Sequence, residues 1–216
     1  MKILYLVNAR IPTEKAHGVA IVKMVEALAK GGAEVELIIP QRSAGKESLI
    51  TADLFSYYGL STAFKVKQFF CFDWQWLHQF GFGKIAFWLR TPVFLLQLVL
   101  VALFNLEQVI YTRDGLIAGL LSYFHKKVFW EIHCLPNSKS KYFYKGVFRR
   151  VAGVIAINFR QKEDLLNEYG FRQEKIIVEP SAVNLADFSG LDKKSARGRY
   201  VISQDKIVIA YIGKFS

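Results

Sequence analysis

Apolar residues along the chain fall into short continuous runs that are separated by stretches with helical spacing. The first run extends from Lys2 to Asn8, and residues 19–30 place apolar side chains at helical spacing before two glycines. The next apolar run covers residues 34–39. Short uninterrupted runs of this kind are typical of strands that are covered on both faces. The first forty residues therefore predict one βαβ unit.

The same alternation recurs along the chain as far as residue 180. The runs that predict further strands are residues 65–70, 109–112, 128–131, 154–157 and 176–179, and the segments that predict helices are 49–58, 115–124 and 160–169. Alternating strands and helices predict an α/β fold with a doubly wound, Rossmann-like parallel sheet. In such sheets, ligands bind beyond the carboxyl ends of the strands.

The last part of the chain breaks this pattern. Residues 185–204 are polar and basic, a composition typical of a linker. A new apolar run over residues 206–213 then predicts a buried strand, which cannot close a domain without neighbouring strands. We therefore predict a first domain over residues 1–188, a linker over 189–205 and the first strand of an incomplete second domain over 206–216.

Composition limits the classes of function. Of the 216 residues, 52% are hydrophobic, and 29 Lys and Arg against 18 Asp and Glu give a formal charge of +11. A basic chain favours an anionic partner, and the 18 Phe residues favour a lipid surface over nucleic acid. Two cysteines provide neither a disulfide framework nor a metal site and favour the cytoplasm. The longest apolar stretch, about 14 residues over 93–106, is too short to span a bilayer.

Several polar residues follow the ends of predicted strands, where an α/β fold carries its chemistry. Arg113 and Asp114 follow the strand at 109–112, and His133 follows the strand at 128–131. Each also has a structural explanation, because Asp114 can cap the next helix and Arg113 can be a surface residue. For His133 the residues alone favour a packed histidine. For the Arg–Asp pair they leave both explanations open.

The loop between the first strand and the first helix, residues 8–18, ends at Gly18. A helix N-terminus presents backbone N–H groups and a positive dipole end, which suit a phosphate. The loop lacks the Gly-x-Gly-x-x-Gly pattern, which disfavours a nicotinamide-dependent enzyme, and no P-loop lysine follows it. A tight turn and a phosphate contact explain Gly18 equally well.

Residues 139–150 form a basic segment interleaved with aromatic side chains. Its cations include Lys141, Lys145, Arg149 and Arg150. Segments of this kind lie in the headgroup region of anionic membranes, pack their aromatic face on their own sheet, or bind single-stranded nucleic acid. The composition of the chain favours a membrane surface, and no RNA-binding signature accompanies the segment.

Four pieces of the sequence together resemble family 4 glycosyltransferases of the GT-B fold. They are residues 2–18, 111–114, 131–133 and 179–188, and they occur in the order found in that family over nearly the whole chain. The resemblance implies a retaining transfer of a sugar from a nucleotide-sugar donor to a glycan or lipid-linked acceptor. It also implies no cofactor and no bound metal.

The resemblance implies roles for individual residues. Gly18 matches the glycine whose backbone approaches the donor diphosphate, and His133 matches a catalytic histidine that reaches the transferred sugar. Lys214 falls where the family has a cation that stabilises the leaving diphosphate. Arg113 and Asp114 match a recurrent pair near the cleft and the acceptor.

The family carries out its reaction in a cleft between two Rossmann-like domains. Its paired glutamates and its nucleotide-binding half would lie beyond Ser216, so we expect the 216-residue chain to be an inactive acceptor-side domain. Residues 181–184 replace the family's more common Asn-Gly-Val-Asp. Trp74 and Trp76 are candidates for stacking on the acceptor, although core packing is the more common use of tryptophan.

A second hypothesis comes from a different class of function. The chain could be a non-catalytic module that attaches to a membrane or to a protein partner through its basic segment. Under either hypothesis we expect a cytoplasmic location, peripheral on the inner face of the membrane, and no nucleic-acid partner.

Overall fold

The computed structural model describes residues 1–13, 15–41, 51–71, 83–136, 140–185, 189–190, 192–209 and 211. The chain divides into two units, Met1–Pro180 and Ser181–Ser216.

In the first unit, strands and helices alternate. The strands are β1 (Lys2–Leu6), β2 (Glu34–Gln41), β3 (Lys65–Phe70), β4 (Val109–Thr112), β5 (Val128–Ile132), β6 (Gly153–Ala156) and β7 (Ile176–Val178). The helices are α1 (Ala16–Lys30), α2 (Thr51–Tyr58), α3 (Gly83–Phe104), α4 (Gly115–Leu121), α5 (Lys141–Arg150) and α6 (Phe159–Tyr169), and a 3-10 turn spans Gln173–Lys175.

These strands form one parallel sheet in the order β3-β2-β1-β4-β5-β6-β7. In register, Leu6 of β1 faces Ile38 of β2 on one side and Thr112 of β4 on the other. The strand order reverses between β1 and β4, which is the point where a doubly wound sheet opens a crevice at its carboxyl edge. The α/β, Rossmann-like fold predicted from the sequence is confirmed.

Alternate residues of β1 and β2 contribute to two separate cores, as the two-residue period of a strand requires. On one face of the sheet, Leu4 and Leu6 belong to the same buried cluster as Phe94 of α3, and α3 to α6 all contribute to this cluster. On the other face, Tyr5 belongs to a cluster that includes Val22 of α1 and residues of α2.

The longest apolar stretch of the sequence forms the second half of α3. Phe94, Leu98 and Ala102 are fully buried at a four-residue spacing, whereas Leu96 and Leu100 on the same helix are exposed. None of the described helices combines the length and the apolar character that a membrane crossing requires.

The second unit contains a short helix inside the region predicted as a linker. This helix, α7 (Lys193–Arg199), begins after Asp192, whose carboxylate accepts a hydrogen bond of 2.6 Å from the Ser195 N–H. Residues 206–209 and 211 lie in neither a helix nor a strand. The domain boundaries at 188 and 205, and the strand of a further domain, remain predictions.

Candidate active site

The carboxyl ends of β1 and β4 are joined by a buried hydroxyl group. Thr112 donates a hydrogen bond of 2.7 Å from Oγ1 to the carbonyl oxygen of Leu6. Oγ1 of Thr112 in turn accepts a hydrogen bond of 3.0 Å from the Asp114 N–H. Thr112 has no exposed surface. The two strands that flank the crevice therefore end in a fixed relation to each other.

Glu131, at the end of β5, is the buried centre of a polar cluster beside this crevice. Its Oε1 accepts a hydrogen bond of 2.5 Å from His133 Nε2 and lies 3.4 Å from Nε of Arg113. Its Oε2 accepts a hydrogen bond of 2.8 Å from the Tyr111 hydroxyl group. Burial raises the pKa of Glu131, but the His133 hydrogen bond, the Arg113 charge and the Tyr111 hydrogen bond together hold it below its usual value. Glu131 is therefore an ionised anchor for the other members.

His133 is held on two sides and is accessible on the rest of its surface. Nη2 of Arg113 lies 3.0 Å from Nδ1 of His133 and also contacts Nε2. Since a carboxylate only accepts, the contact with Glu131 favours a proton on Nε2 of His133. The His133 side chain keeps 32% of its surface exposed, against 13% for Arg113 and 6% for Glu131. His133 is therefore the most exposed of these three side chains.

Two tyrosines form the inner wall of the cluster. The rings of Tyr5 and Tyr111 stack with their centroids 4.9 Å apart. The Tyr5 hydroxyl group is buried and makes no hydrogen bond within the described part of the chain. Burial, followed by the charge of Glu131, raises the pKa of both phenols far above the usual value, so both are neutral.

Sequence reasoning identified His133 and Arg113 but missed Glu131 and the two tyrosines. A signal for Glu131 was present, because it is a charged residue at the end of an otherwise apolar run. No such signal exists for Tyr5 or Tyr111, whose type is ordinary in buried strands. Their relation to Glu131 depends on the strand order.

Asp114 lies next to the cluster but is engaged elsewhere. Its Oδ1 accepts hydrogen bonds of 2.8 Å from the Leu116 N–H and 3.2 Å from the Ile117 N–H, which makes it the N-cap of α4. The structural explanation weighed for Asp114 is thus observed, and a contact with an acceptor remains a prediction.

Gly18 is the third residue of α1 and is buried against the loop that follows β1. A Cβ atom at this position would overlap Cγ2 of Thr13 and lie 3.1 Å from the Tyr58 hydroxyl oxygen. That hydroxyl group accepts a hydrogen bond of 2.7 Å from the Thr13 N–H and donates one of 2.8 Å to its carbonyl oxygen. Close packing therefore explains the glycine, and a phosphate contact remains a prediction.

The basic segment forms α5, whose inner face packs on the sheet. Val147 and Phe148 are fully buried, and Tyr144 stacks on Trp130 with the ring centroids 5.5 Å apart. Tyr142 is 87% exposed. The packing alternative thus holds for the inner aromatic residues of this segment.

The four cations of α5 differ in their partners. Lys141 Nζ lies 3.3 Å from a carboxylate oxygen of Glu168, and the Arg150 guanidinium lies 3.7 Å from the ring centroid of Tyr123. Lys145 and Arg149 form no ion pair with the residues that the structure describes. The four cations of the segment are therefore not equally available to an anionic surface.

Three predicted residues lie outside the described part of the chain: Lys214, Trp74 and Trp76. Within that part, no group of three or more His, Cys, Asp or Glu side chains is arranged to hold a metal ion.

Solved structures share this fold over nearly the whole chain. A glycosyltransferase from Rickettsia africae ESF-5 superposes with a TM-score of 0.59 and 15% identity, covering 94% of this chain and 50% of that one. Anabaena Alr3699/HepE, solved in complex with UDP, superposes with a TM-score of 0.56 and 14% identity, covering 93% of this chain and 50% of that one. The chain thus spans about half the length of these proteins and shares the fold of that part. No protein-family model and no curated protein matches the sequence.

Proposed function

We propose that this chain is the acceptor-side domain of a retaining, family 4 glycosyltransferase that uses a nucleotide-sugar donor. The observation that carries the proposal is the presentation of His133 at the carboxyl edge of the sheet, beside the strand-order reversal, on an ionised and buried Glu131. The fold shared with a glycosyltransferase and the UDP bound to Anabaena HepE support a nucleotide-sugar donor.

In this proposal, His133 is the catalytic residue that contacts the transferred sugar. Glu131 holds the imidazole through Nε2, and Arg113 balances the charge of Glu131 while lying against the ring. The ring is therefore oriented before the sugar arrives, so that little ordering is left for the reaction itself. Arg113 lies within the cluster and Asp114 borders it, and in this proposal both lie near the acceptor.

The donor diphosphate is assigned to the start of α1 and to Lys214. Among the described residues, no side chain caps the N-terminus of α1 and no acidic residue lies in its first turn. No carboxylate of these residues therefore offsets the positive end of the helix dipole. Gly18 brings the preceding loop close to this end of the helix. During transfer, the bond between the anomeric carbon and the diphosphate oxygen breaks, and the diphosphate leaves with the electron pair. An acceptor hydroxyl oxygen forms the new bond to the anomeric carbon on the same face, and its proton passes to the leaving diphosphate.

The acceptor is a glycan or a lipid-linked sugar, and we place the protein in the cytoplasm, in peripheral contact with an anionic membrane surface. The supporting observations are the exposed Tyr142 and Phe143 of α5 and the two α5 cations without an ion-pair partner, Lys145 and Arg149. Cations near an anionic surface each contribute about 1 kcal/mol to attachment.

The test measures the release of nucleoside diphosphate from a panel of nucleotide sugars in the presence of glycan and lipid-linked acceptors. The protein is expressed from the reading frame that contains residues 1–216, with His133→Ala as the variant and Lys126→Ala as a control on the opposite edge of the sheet. We expect His133→Ala to lower the rate by about 100-fold and Lys126→Ala to leave it unchanged.

The 216-residue chain is assayed in parallel, and we expect no release above that of its own His133→Ala variant. The protein expressed from the whole reading frame is called the longer protein. Absence of sugar-dependent release from the longer protein, or equal rates for His133→Ala and its parent, would overturn the proposal.

A further inference from the structure

A basic pocket of about 480 Å³ opens between the carboxyl ends of α5 and α6. Four cations line the pocket: Lys145, Arg149, Arg172 and Lys175. No acidic residue of the described part of the chain lines it. The volume lies within the range of about 300 to 1,000 Å³ that is common for small-molecule sites. Two of these cations, Arg172 and Lys175, were not among the candidate binding residues predicted from the sequence.

The pocket has a rigid aromatic floor. The ring of Phe148 lies 5.3 Å from that of Tyr169 and 5.4 Å from that of Phe171, and all three side chains are buried. Gly170 ends α6 with a φ of 62°, and the Phe171 N–H then donates a hydrogen bond of 3.1 Å to Leu165. This turn fixes the path of the chain into Arg172.

Most of the positive charge in the pocket is not neutralised. Lys175 donates a hydrogen bond of 3.1 Å to the Val151 carbonyl oxygen, which lies just after the last residue of α5. Lys145, Arg149 and Arg172 make no ion pair or side-chain hydrogen bond with the described residues. Cations near helix carboxyl ends offset the helix dipole, but that role requires neither a concave arrangement nor an aromatic floor. Three unneutralised cations that converge on a cavity favour an anion inside it.

The pocket lies at the edge of the sheet opposite the Glu131 cluster. Helix α5 starts after the carboxyl end of β5 and returns to the amino edge before β6, and Lys175 directly precedes β7. The two edges are separated by the length of these strands, roughly 13 to 17 Å. The pocket is therefore separate from the site of sugar transfer.

We propose that this pocket binds a phosphate group carried by a small molecule or by a lipid headgroup. The guanidinium groups of Arg149 and Arg172 suit bidentate hydrogen bonds to phosphate oxygens, and Lys145 and Lys175 add point charges. The aromatic floor accommodates the carbon part that carries the phosphate. The inference is independent of the sugar-transfer proposal, since it concerns another edge of the sheet, but it shares Lys145 and Arg149 with the proposed membrane contact.

The test uses the 216-residue chain and two phosphate sources. Binding of pyrophosphate is measured by titration calorimetry. Co-sedimentation is measured with vesicles of phosphatidylcholine, with and without phosphatidylglycerol. The pocket variant is Arg149→Gln with Arg172→Gln, and the matched control is Arg160→Gln with Lys162→Gln, which removes two positive charges at the other end of α6.

We expect the pocket variant to weaken binding by about 10-fold or more while the control variant keeps it. Loss of pyrophosphate binding identifies a soluble phosphate ligand, and loss of phosphatidylglycerol-dependent sedimentation identifies a lipid headgroup. Both replaced arginines are exposed, and circular dichroism checks that the variant is folded.

A further variant, Arg149→Lys with Arg172→Lys, keeps the charge and removes the bidentate geometry, so we expect it to weaken pyrophosphate binding more than vesicle binding. If the unmodified chain binds neither phosphate source, or if the pocket and control variants lose binding equally, the proposal is wrong.

Discussion

Glu26 lies on α1 with its side chain almost fully buried, at 4% exposure. Oε1 accepts hydrogen bonds from the Ser61 N–H at 2.7 Å and the Thr62 N–H at 3.2 Å, and it also lies 3.2 Å from Lys30 Nζ. Burial raises the pKa of Glu26, but hydrogen bonds from Ser61, Lys30 and Thr62 lower it to about 2. One buried carboxylate thus ties α1 to the segment between α2 and β3.

This depressed pKa predicts a pH-dependent contribution to stability. Because the folded pKa is below the unfolded value of about 4.3, the contribution is present above that value and is lost as the pH falls towards 2. We expect Glu26→Gln to lower the free energy of unfolding by about 1 to 3 kcal/mol near neutral pH.

Urea unfolding of the Glu26→Gln variant and its parent, measured from about pH 7 to about pH 3, checks this expectation. The difference between the two proteins should shrink on acidification. The exposed Glu163 of α6 provides the control, and Glu163→Gln should change stability little at any pH. A difference for Glu26→Gln that stays constant over this range would contradict the expectation.

Gly18 permits a second prediction at the residue scale. A methyl group there would overlap Thr13 and crowd the Tyr58 hydroxyl group, so we expect Gly18→Ala to destabilise the protein by about 1 to 3 kcal/mol. Gly146→Ala in α5 is the matched control, since its Cβ would meet only the flexible end of Arg150, at 3.3 Å. Thermal unfolding compares the two variants, and equal melting temperatures would contradict the packing explanation for Gly18.

Most strands and helices of the first unit are predictable because they follow from local sequence patterns. The β1–α1–β2 unit follows from apolar periodicity, and Gly170 marks the end of α6 with its positive φ. Helix α7 was not predicted because its sequence, residues 193–199, has Ala196 as its one apolar side chain and therefore no apolar face. Its cap at Asp192 was the available signal.

Asp114 has two candidate roles, which are capping helix α4 and contacting an acceptor. Substitution by alanine and by asparagine separates the two roles. Asparagine caps a helix about as well as aspartate, whereas alanine does not, so Asp114→Ala should cost about 1 kcal/mol of stability and Asp114→Asn very little. Thermal unfolding of both variants measures the capping contribution.

Nucleoside diphosphate release by the longer protein then tests the acceptor role. If the carboxylate charge serves the acceptor, Asp114→Asn lowers the rate although the protein remains as stable as its parent. An unchanged rate for Asp114→Asn would remove Asp114 from the acceptor site.

At the scale of the whole molecule, the sequence indicates the sheet but not what the sheet brings together. Tyr5, Tyr111 and Glu131 come from three strands, and they meet only because β4 and β5 lie beyond β1 in the strand order. The basic pocket depends in the same way on α5 and α6 lying side by side, and it joins Arg149 to Arg172. Such convergence over long sequence separations is not encoded in local periodicity.

The two edges of the sheet should therefore act independently. The Glu131 cluster and the basic pocket share no residue, and groups this far apart usually contribute additively. With a soluble acceptor, we expect Arg149→Gln with Arg172→Gln to leave nucleoside diphosphate release by the longer protein within about twofold of its parent. We expect His133→Ala to lower the rate by about 100-fold, with or without the pocket substitutions. Steady-state rates of the three variants and the parent measure this, and a combined effect that differs from the product of the separate effects would show that the edges are coupled.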